Sequence, residues 1–185
     1  MKDSEEQTFD IILFGSYYIG KTYLLNRYIN NIFSSYFSSQ NYTEYKTKNI
    51  SIRNKKITLK LWETKYQSYK SMTNYNFGKA NGIMIMYDIT YAASFNDMKP
   101  ILTKIDDYLN EDAKRCKILV GCKSDSTYKS VKEEQGKNLA KEYNMPFFET
   151  SAKNNTNVTE IFEFLANKIL RYKENELLWL FKYYY

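Results

Sequence analysis

Gly15 to Thr22, the stretch GSYYIGKT, matches the pattern G-x-x-x-x-G-K-[ST]. It follows an apolar run over 8–14 (TFDIILF), which predicts a buried strand, and it precedes a helical pattern that begins at Lys21. A chance match in a chain of this length is on the order of one in a hundred. An ordinary glycine-rich turn is the alternative interpretation. Placed between a strand and a helix, the pattern is typical of a loop whose backbone N–H groups hold phosphates.

The side chains of this loop predict distinct roles. The Lys21 ammonium is expected to reach the β and γ phosphates of a nucleotide, and the Thr22 hydroxyl is expected to ligate Mg²⁺. Lys21 is therefore also a candidate catalytic residue, because it would stabilise charge during phosphoryl transfer. The residues of this segment expected to contact nucleotide are Gly15, Tyr17, Tyr18, Ile19, Gly20, Lys21, Thr22 and Tyr23.

Strands and helices are expected to alternate through the rest of the chain. Two alternating segments, 46–52 and 57–62, predict an antiparallel hairpin around residues 53–56. Apolar runs predict further strands at 82–87, 117–122 and 145–148, and helical spacing predicts helices from residue 21 and over 94–109, 131–143 and 158–170. This order predicts an α/β fold with three layers, a P-loop NTPase fold. Its six-stranded, mostly parallel sheet would have one antiparallel strand and about five helices. The predicted organisation is an extension over 1–7, a domain over 8–170 and an aromatic, basic tail over 171–185.

Composition narrows the class of protein. The 185 residues carry 27 Lys and Arg against 21 Asp and Glu, a net charge of +6. The basic residues are scattered, so nucleic acid is not the expected partner. Since there is no His and only two Cys, Cys116 and Cys122, the usual zinc sites are excluded, and a reduced cytoplasmic protein is expected. Neither a signal peptide nor an apolar run long enough to span a bilayer is expected.

Four segments beyond the loop resemble motifs of the Ras superfamily, and of its Rab-like branch in particular, over about residues 8–170. Residues 61–64 (LWET) with Gln67 resemble the segment W-D-T-A-G-Q, and 87–90 (YDIT) with 94–95 (SF) resembles the Rab signature. Residues 121–125 (GCKSD) are similar to the base-reading motif N-K-x-D, and 149–153 (ETSAK) match E-T-S-A-K without change.

The resemblance implies guanine as the base. In the family the motif Asp pairs with guanine N1 and its exocyclic amine, a role that falls to Asp125. Lys123 would lie along the base, the Ala152 N–H would meet guanine O6, and Phe33 would stand edge-on to the base. The remaining expected nucleotide contacts are Cys122, Ser151 and Lys153. The implied ligands are GTP or GDP with Mg²⁺.

Several positions depart from the family pattern. Gln40 stands where the family has a Thr that ligates Mg²⁺, with Ser39 as a substitute beside it. Glu63 replaces the Asp that holds a magnesium-bound water, and Tyr66 replaces a Gly that meets the γ-phosphate. The implied metal-site residues are Thr22, Gln40 and Glu63. Gln67 retains the position that orients the attacking water, although an ordinary exposed loop Gln is an equal interpretation.

Two further departures affect the loops themselves. Cys122 replaces an Asn that ties the base loop to the phosphate loop, and a thiol makes such hydrogen bonds poorly. The loss of the hydrogen bonds that the Asn would make is expected to weaken nucleotide binding by about 1 to 3 kcal/mol. Tyr17 would overhang the γ-phosphate and crowd both water and an incoming arginine. Tyr18 would need a backbone conformation that glycine adopts more easily, with strain of order 1 kcal/mol.

The tail, RYKENELLWLFKYYY, has no cysteine for prenylation, which is the family's usual anchor. One interpretation is that it continues the last helix or folds onto the domain. The other is contact with a partner or a membrane surface, which its Trp, Tyr and Lys residues favour.

Two functional hypotheses follow. The first is an atypical Rab-like, GTP-binding switch that hydrolyses GTP slowly, in membrane traffic. It would bind effectors or regulators through its switch segments and would be cytoplasmic or peripheral on endomembranes. The second is a pseudo-GTPase that acts as a scaffold, with constitutive or absent nucleotide binding. A nucleotide kinase is poorly supported because an Arg-rich lid is missing.

Overall fold

The computed structural model of the protein describes residues 7–34, 45–64 and 77–184, with side chains up to residue 175. The strands in these ranges are β1 (Gln7–Phe14), β2 (Tyr45–Ile52), β3 (Lys55–Glu63), β4 (Gly82–Asp88), β5 (Lys117–Cys122) and β6 (Phe147–Thr150). The α-helices in the same ranges are α1 (Lys21–Asn30), α2 (Ala92–Asn96), α3 (Met98–Ile105), α4 (Glu111–Arg115), α5 (Glu133–Glu142) and α6 (Val158–Tyr184). A short 3₁₀ helix covers Phe77–Lys79.

All six strands form one sheet in the order β2-β3-β1-β4-β5-β6. The β2–β3 pair is antiparallel, whereas β1 pairs with β3 and β4 in parallel, as do β4 with β5 and β5 with β6. The α/β fold expected from the sequence is therefore confirmed. Because the five parallel strands point the same way, their carboxyl ends meet at one edge of the sheet.

Helices cover both faces of this sheet and bury its apolar side chains. One core lies under α1 and α6, where Leu24 and Tyr28 meet Phe162 and Leu165. The second core lies under α3 and α5 on the opposite face and includes Tyr87. β4 and β5 are buried along their whole length, as expected for strands covered on both sides.

The hairpin turn is tighter than the sequence suggested. β3 starts at Lys55, so Arg53 and Asn54 alone connect the strands. Both adopt positive φ, 51° and 63°. This is the backbone of a turn whose twist matches that of the flanking strands. The prediction of a hairpin is confirmed, but its four-residue loop was wrong.

The helix expected over 94–109 is divided into α2 and α3, and α3 ends at Ile105. Pro100 explains the break, because proline lacks the N–H that a continuous helix would donate to the carbonyl of residue 96. The short helix α4 was not anticipated. The Asn110 side chain caps it by accepting a hydrogen bond of 2.9 Å from the Ala113 N–H.

Two other boundaries differ by a few residues. β6 starts at Phe147 rather than Met145, since Pro146 has no N–H to pair with β5. α5 starts at Glu133, and the preceding Lys132 is extended.

The last helix does not end at Leu170 as expected, and α6 continues to Tyr184. The backbone therefore agrees with the interpretation that the tail prolongs the final helix. Glu174 accepts hydrogen bonds of 2.7 Å from Arg53 and from Lys55, which links the helix to the hairpin. Within the described ranges, the apolar character and length of the helices fall short of what a membrane span requires.

Candidate functional site

The phosphate loop connects β1 to α1 at the carboxyl edge of the sheet, and two glycines shape it. A Cβ on Gly15 would lie 2.4 Å from the Met86 carbonyl oxygen, so no side chain fits there. Gly20 immediately precedes α1 with φ at 110°, a conformation that favours glycine. The N–H groups at the start of α1 consequently face the loop, as phosphate binding requires.

The two tyrosines of the loop point outward. Tyr18 adopts φ of 61°, which agrees with the expectation that its backbone is one that glycine adopts more easily. Its side chain is 92% exposed and that of Tyr17 is 41% exposed, with 6.1 Å between the ring centroids. An aromatic pair therefore stands on the rim of the loop.

Lys21 lies beneath the loop and is 5% exposed. Its ammonium donates hydrogen bonds of 2.7 Å to the carbonyl oxygens of Gly15 and Ser16. Burial lowers the pKa of Lys21 to about 8, although the Glu63 carboxylate acts in the opposite direction. Among the described residues no carboxylate pairs directly with this buried ammonium, and such a charge favours the arrival of an anion.

Thr22 and Glu63 meet where α1 begins and β3 ends. The Thr22 hydroxyl donates a hydrogen bond directly to the Glu63 carboxylate. The next residue, Thr64, holds the end of β3 against β1 through two 3.1 Å hydrogen bonds to the Leu13 carbonyl oxygen. A hydroxyl and a carboxylate are the oxygen donors that Mg²⁺ prefers, so this pair fits the metal. The described ranges hold no cluster of three or more His, Cys, Asp or Glu around a metal position. Phosphate and water oxygens would complete the coordination.

A pocket of about 580 Å³ opens beside the loop. Its walls come from the phosphate loop, α1 and the segments that follow β4, β5 and β6. The lining residues are Gly20, Tyr23, Leu24, Phe33, Thr90, Cys122, Lys123, Asp125, Ser126, Thr127, Thr150, Ala152 and Lys153. Most of the residues expected from the sequence to meet the base are thus brought together. The rings of Tyr23 and Phe33 lie 5.3 Å apart and form an aromatic wall.

Asp125 is held in a defined orientation within this pocket. The Ser151 hydroxyl donates a hydrogen bond of 2.6 Å to one carboxylate oxygen, and the Lys153 ammonium lies 3.9 Å from the other. Ser151 is fully buried, and its hydroxyl in turn accepts a hydrogen bond from the Asn154 N–H. This network fixes a carboxylate that can accept from two adjacent N–H donors of a planar base.

Lys123 is positioned by strain and by charge. Its φ is 68°, and its ammonium lies 2.5 Å from the Asp88 carboxylate at the end of β4. The other oxygen of Asp88 accepts hydrogen bonds from the N–H and hydroxyl of Thr90 at 2.8 and 2.7 Å. The Lys123 stem thereby lies along one wall of the pocket.

Cys122 lies between the base loop and the phosphate loop. Burial raises the pKa of its thiol to about 12, so the thiol is neutral at physiological pH. A Cβ added to Gly20 would lie 3.9 Å from the Cys122 Cβ. The two loops therefore approach closely at this point, as expected for the position of the family's Asn.

The sequence analysis missed Arg27 and assigned no site role to Asp88 and Thr90, although it singled out their segment, 87–90. Arg27 of α1 donates hydrogen bonds to the carbonyl oxygens of Ala152 and Lys153 at 2.8 and 3.2 Å, which fixes the loop after β6. Asp88 and Thr90 position Lys123, as described above. The contacts of Arg27 span more than a hundred residues of sequence, so no local pattern indicates them. Four positions singled out in the sequence, Ser39, Gln40, Tyr66 and Gln67, lie outside the described residues.

A phosphate loop at the carboxyl edge of a parallel sheet, with a neighbouring pocket that presents a fixed carboxylate, defines the class of P-loop nucleotide-binding proteins. Comparison with known proteins identifies the family. The Ras family model matches residues 10–171.

Individual relatives agree. The chain is 36% identical over 167 residues to Ras-related protein SEC4 of Saccharomyces cerevisiae, covering 90% of this chain and 77% of the relative. It is 37% identical over 172 residues to Ras-related protein Rab-10 of Diplobatis ommata, covering 92% and 85%. It is 36% identical over 171 residues to Ras-related protein RABD1 of Arabidopsis thaliana, covering 91% and 82%. The chain belongs to the Ras family and is a Rab-like small GTPase.

Proposed function

We propose that the protein is a guanine-nucleotide switch that binds GTP and GDP with Mg²⁺ and hydrolyses GTP slowly. The observation that carries the proposal is the Asp125 carboxylate, held by Ser151 in a pocket that also contains Phe33 and borders Gly20. Adenine has no pair of adjacent donors at the corresponding edge, so this carboxylate favours guanine. The Ala152 N–H would meet guanine O6, and Lys123 would cover the face of the base.

The loop and its neighbours would hold the phosphates. Lys21 and the first N–H groups of α1 bind the β and γ phosphates, while Thr22, Gln40 and Glu63 hold the metal directly or through water. Magnesium supplies charge neutralisation at the phosphate oxygens. The burial of Lys21, with both of its hydrogen bonds made to loop carbonyls, supports this assignment.

Hydrolysis would be an attack of water on the γ-phosphorus, with Gln67 orienting the water and Lys21 stabilising charge. Tyr17 and Tyr66 would crowd the approach of water and of a partner's arginine. We therefore expect single-turnover hydrolysis slower than that of an ordinary Rab protein. The replacement of Tyr17 by Gly should raise the rate, whereas that of the exposed Tyr128 should not. A wild-type rate at or above that of an ordinary Rab protein would contradict slow hydrolysis.

The choice of base can be tested at Asp125. The substitution Asp125→Asn replaces an acceptor by a group that also donates, so GDP affinity should fall by about tenfold or more. Affinity for xanthosine diphosphate, which presents an oxygen where guanine has its amine, should rise. Asp107→Asn is the matched control because this carboxylate is exposed and distant from the pocket. Unchanged GDP affinity in Asp125→Asn would overturn the proposal.

A scaffold that does not switch remains the second candidate, and one contact favours it. Glu63, one methylene longer than the Asp of the family pattern, reaches the Thr22 hydroxyl and accepts a hydrogen bond from it. If this contact replaces the ion, chelation should hardly accelerate GDP release. Glu63→Asp, one methylene shorter, should then make release sensitive to chelation, and Glu63→Gln, which keeps the length, should not. A wild-type protein that loses GDP rapidly on chelation would contradict the scaffold.

The cellular role follows from similarity to proteins named Rab and SEC4. We propose a role in membrane traffic, with effectors or regulators bound through the switch segments and the protein cytoplasmic or peripheral on endomembranes. Affinity capture of partners with protein loaded with GDP or with a non-hydrolysable GTP analogue tests this. A switch retains different partners in the two states, and a scaffold retains the same ones.

A further inference from the structure

A second concave region lies at the opposite edge of the sheet, where β5 begins. It is an open groove of about 820 Å³ between the end of α4, the connection from α5 to β6 and the middle of α6. Five of its lining side chains are cationic: Lys114, Arg115, Lys117, Lys141 and Lys168. The nucleotide site is at the other end of the strands, so the groove is separate from it.

The described residues that line the groove include no carboxylate, so their charges are all positive. Four carboxylates lie around its margin: Asp107 is near Lys114, Asp112 lies 3.7 Å from the Lys173 ammonium, and two others bond cations of the lining directly. Asp106 accepts from the Lys117 ammonium at 2.6 and 2.8 Å, and Glu111 accepts from Lys114 at 2.9 Å. These pairs neutralise two of the five cations and leave the other three.

The remaining cations have no ion pair within the described ranges. Arg115 stands over the Tyr172 ring at 5.5 Å from its centroid. Lys141 is exposed, and Lys168 is half-buried in the middle of α6. Burial lowers the pKa of Lys168, and the neighbouring Lys117 ammonium acts in the same direction. Positive side chains that face each other in a groove repel one another, and a bound anion relieves that repulsion.

Helix ends account for only part of this pattern. Lysine and arginine commonly complement the last turn of a helix, which explains Lys114, Arg115 and Lys141 at the ends of α4 and α5. The same reason does not apply to Lys168, which is far from either end of α6, or to Lys117, which begins a strand. Four separate elements, α4, β5, α5 and α6, therefore direct positive charge into one groove.

We propose that this groove binds a polyphosphorylated anion, either a soluble inositol polyphosphate or the headgroup of a phosphoinositide. Ammonium and guanidinium groups are the usual ligands of phosphate oxygens, and the side-chain amides of Asn144 and Asn175 add neutral donors to the lining. The volume is within the range of small-molecule sites. Several phosphates on one ring would meet several cations at once, which a single phosphate cannot do.

The helix that lines the groove also suggests how a lipid would be reached. Lys168, Tyr172 and Asn175 follow one another at intervals of four and three residues on α6, and the helix continues to Tyr184. The sequence directly beyond Asn175, ELLWLFKYYY, is rich in residues that favour a membrane interface. A headgroup in the groove would be close to the start of this segment along the chain.

The test measures two ligands on full-length protein saturated with GDP and Mg²⁺, which keeps the phosphate loop occupied. Calorimetry uses inositol hexakisphosphate, and sedimentation uses phosphatidylcholine vesicles with or without phosphatidylinositol bisphosphate. We expect Lys141→Gln/Lys168→Gln to weaken binding at least about tenfold. The matched control is Lys56→Gln/Lys137→Gln, which removes the same charge from exposed sites elsewhere.

The outcomes separate as follows. Binding of the soluble anion, or of phosphoinositide vesicles alone, supports the groove when the first variant loses it and the control keeps it. Binding to phosphoinositide vesicles without binding to the soluble anion would identify the lipid headgroup as the ligand. Equal loss in both variants would show attraction to overall positive charge and overturn the proposal, as would wild-type protein that binds neither ligand. Retained GDP binding verifies folding, and the exposed single substitution Lys141→Gln serves if the double variant does not fold.

Discussion

At the scale of single residues, Tyr18 combines a strained backbone with an almost fully exposed side chain. An L-residue at φ of 61° costs about 1 kcal/mol relative to glycine, and the exposed ring gains little packing in return. We expect Tyr18→Gly to raise the free energy of unfolding by up to about 1 kcal/mol. Urea denaturation of the nucleotide-free protein measures the change.

The adjacent Tyr17 supplies the control for that prediction. It does not have positive φ, so glycine there relieves no strain, removes the contacts of the ring and increases the freedom of the unfolded chain. Tyr17→Gly should therefore lower stability by about 0.5 to 1 kcal/mol. If both substitutions change stability in the same direction, the strain assigned to Tyr18 is wrong.

Cys122 permits a second prediction at this scale. The close approach of Gly20 to Cys122 means that an amide at this position would reach the phosphate loop. Cys122→Asn should slow GDP release by about fivefold, since a net hydrogen bond contributes about 1 kcal/mol. The nucleotide-free protein should become less stable, because a polar group replaces a buried thiol.

Cys122→Ser distinguishes polarity from reach. A serine hydroxyl is polar but too short to span the two loops, so its GDP release should be no slower than that of the wild type. Stopped-flow release of a fluorescent GDP analogue measures both variants. Faster release from Cys122→Asn would mean that the loops have adapted to the thiol.

At the scale of elements, the sequence predicted structure well where one local cause was sufficient. The strands β4 and β5 are continuous apolar runs, and their expected positions agree with the structure to within one residue. It predicted poorly where a single residue interrupts a pattern. Pro100 divides a helix whose apolar spacing is unbroken, and Pro146 delays β6. The five-residue helix α4 is too short for periodicity to reveal it.

In the candidate site, too, the sequence predicted some residues well and others poorly. Motif residues such as Lys21, Asp125 and Ser151 are recognisable because their chemistry requires fixed neighbours along the chain. The roles of Arg27 and Asp88 are not recognisable in this way, even though Asp88 lies in a motif segment, because they arise from contacts between loops that only the sheet brings together. Residues that orient other residues are therefore the ones that sequence analysis misses.

The connection of α6 to the hairpin gives a prediction at this scale. Glu174 pairs with both Arg53 and Lys55, but all three side chains are partly exposed and screened by solvent. Glu174→Gln should change global stability by less than about 1 kcal/mol. It should nevertheless accelerate amide hydrogen exchange in the last turns of α6 and at the hairpin turn.

Glu160→Gln is the matched control on the same helix, because Glu160 is exposed and has no ion pair within the described ranges. Hydrogen exchange measured by mass spectrometry compares the two variants. Equal exchange in Glu174→Gln and the wild type would show that the helix needs no support from the hairpin.

At the scale of the whole molecule, the sheet separates two positively charged regions. Lys21 lies at the carboxyl ends of the strands, where family membership and pocket geometry together indicate nucleotide. The basic groove lies at the opposite ends and is not explained by that function. One rigid scaffold thus presents two anion sites whose ligands can be varied independently in experiments.

The buried charge of Lys21 connects the stability of the whole molecule to its ligand. The pKa of Lys21 is about 8 in the folded, nucleotide-free protein, whereas the ordinary lysine value of 10.5 applies in the unfolded chain. Above pH 8 the unfolded chain therefore binds more protons than the folded one. The contribution of Lys21 to stability must then rise with pH, by up to about 1.4 kcal/mol per pH unit. Nucleotide affinity must fall over the same interval, because phosphates need the ammonium.

The measurement compares wild type with Lys21→Met between about pH 7 and pH 9, using urea unfolding without nucleotide. In this difference the contributions of other titrating groups to the pH dependence cancel. These groups include Cys116 and Cys122, whose pKa values burial raises to about 11 and 12. Those thiols act in the opposite direction, since above about pH 9 the unfolded chain binds fewer protons. The free energy of unfolding of the wild type, relative to that of Lys21→Met, should rise above pH 8. The affinity of the wild type for GDP should decline over the same range. If stability and affinity fall together, Lys21 is not the titrating group, and its burial does not govern nucleotide binding.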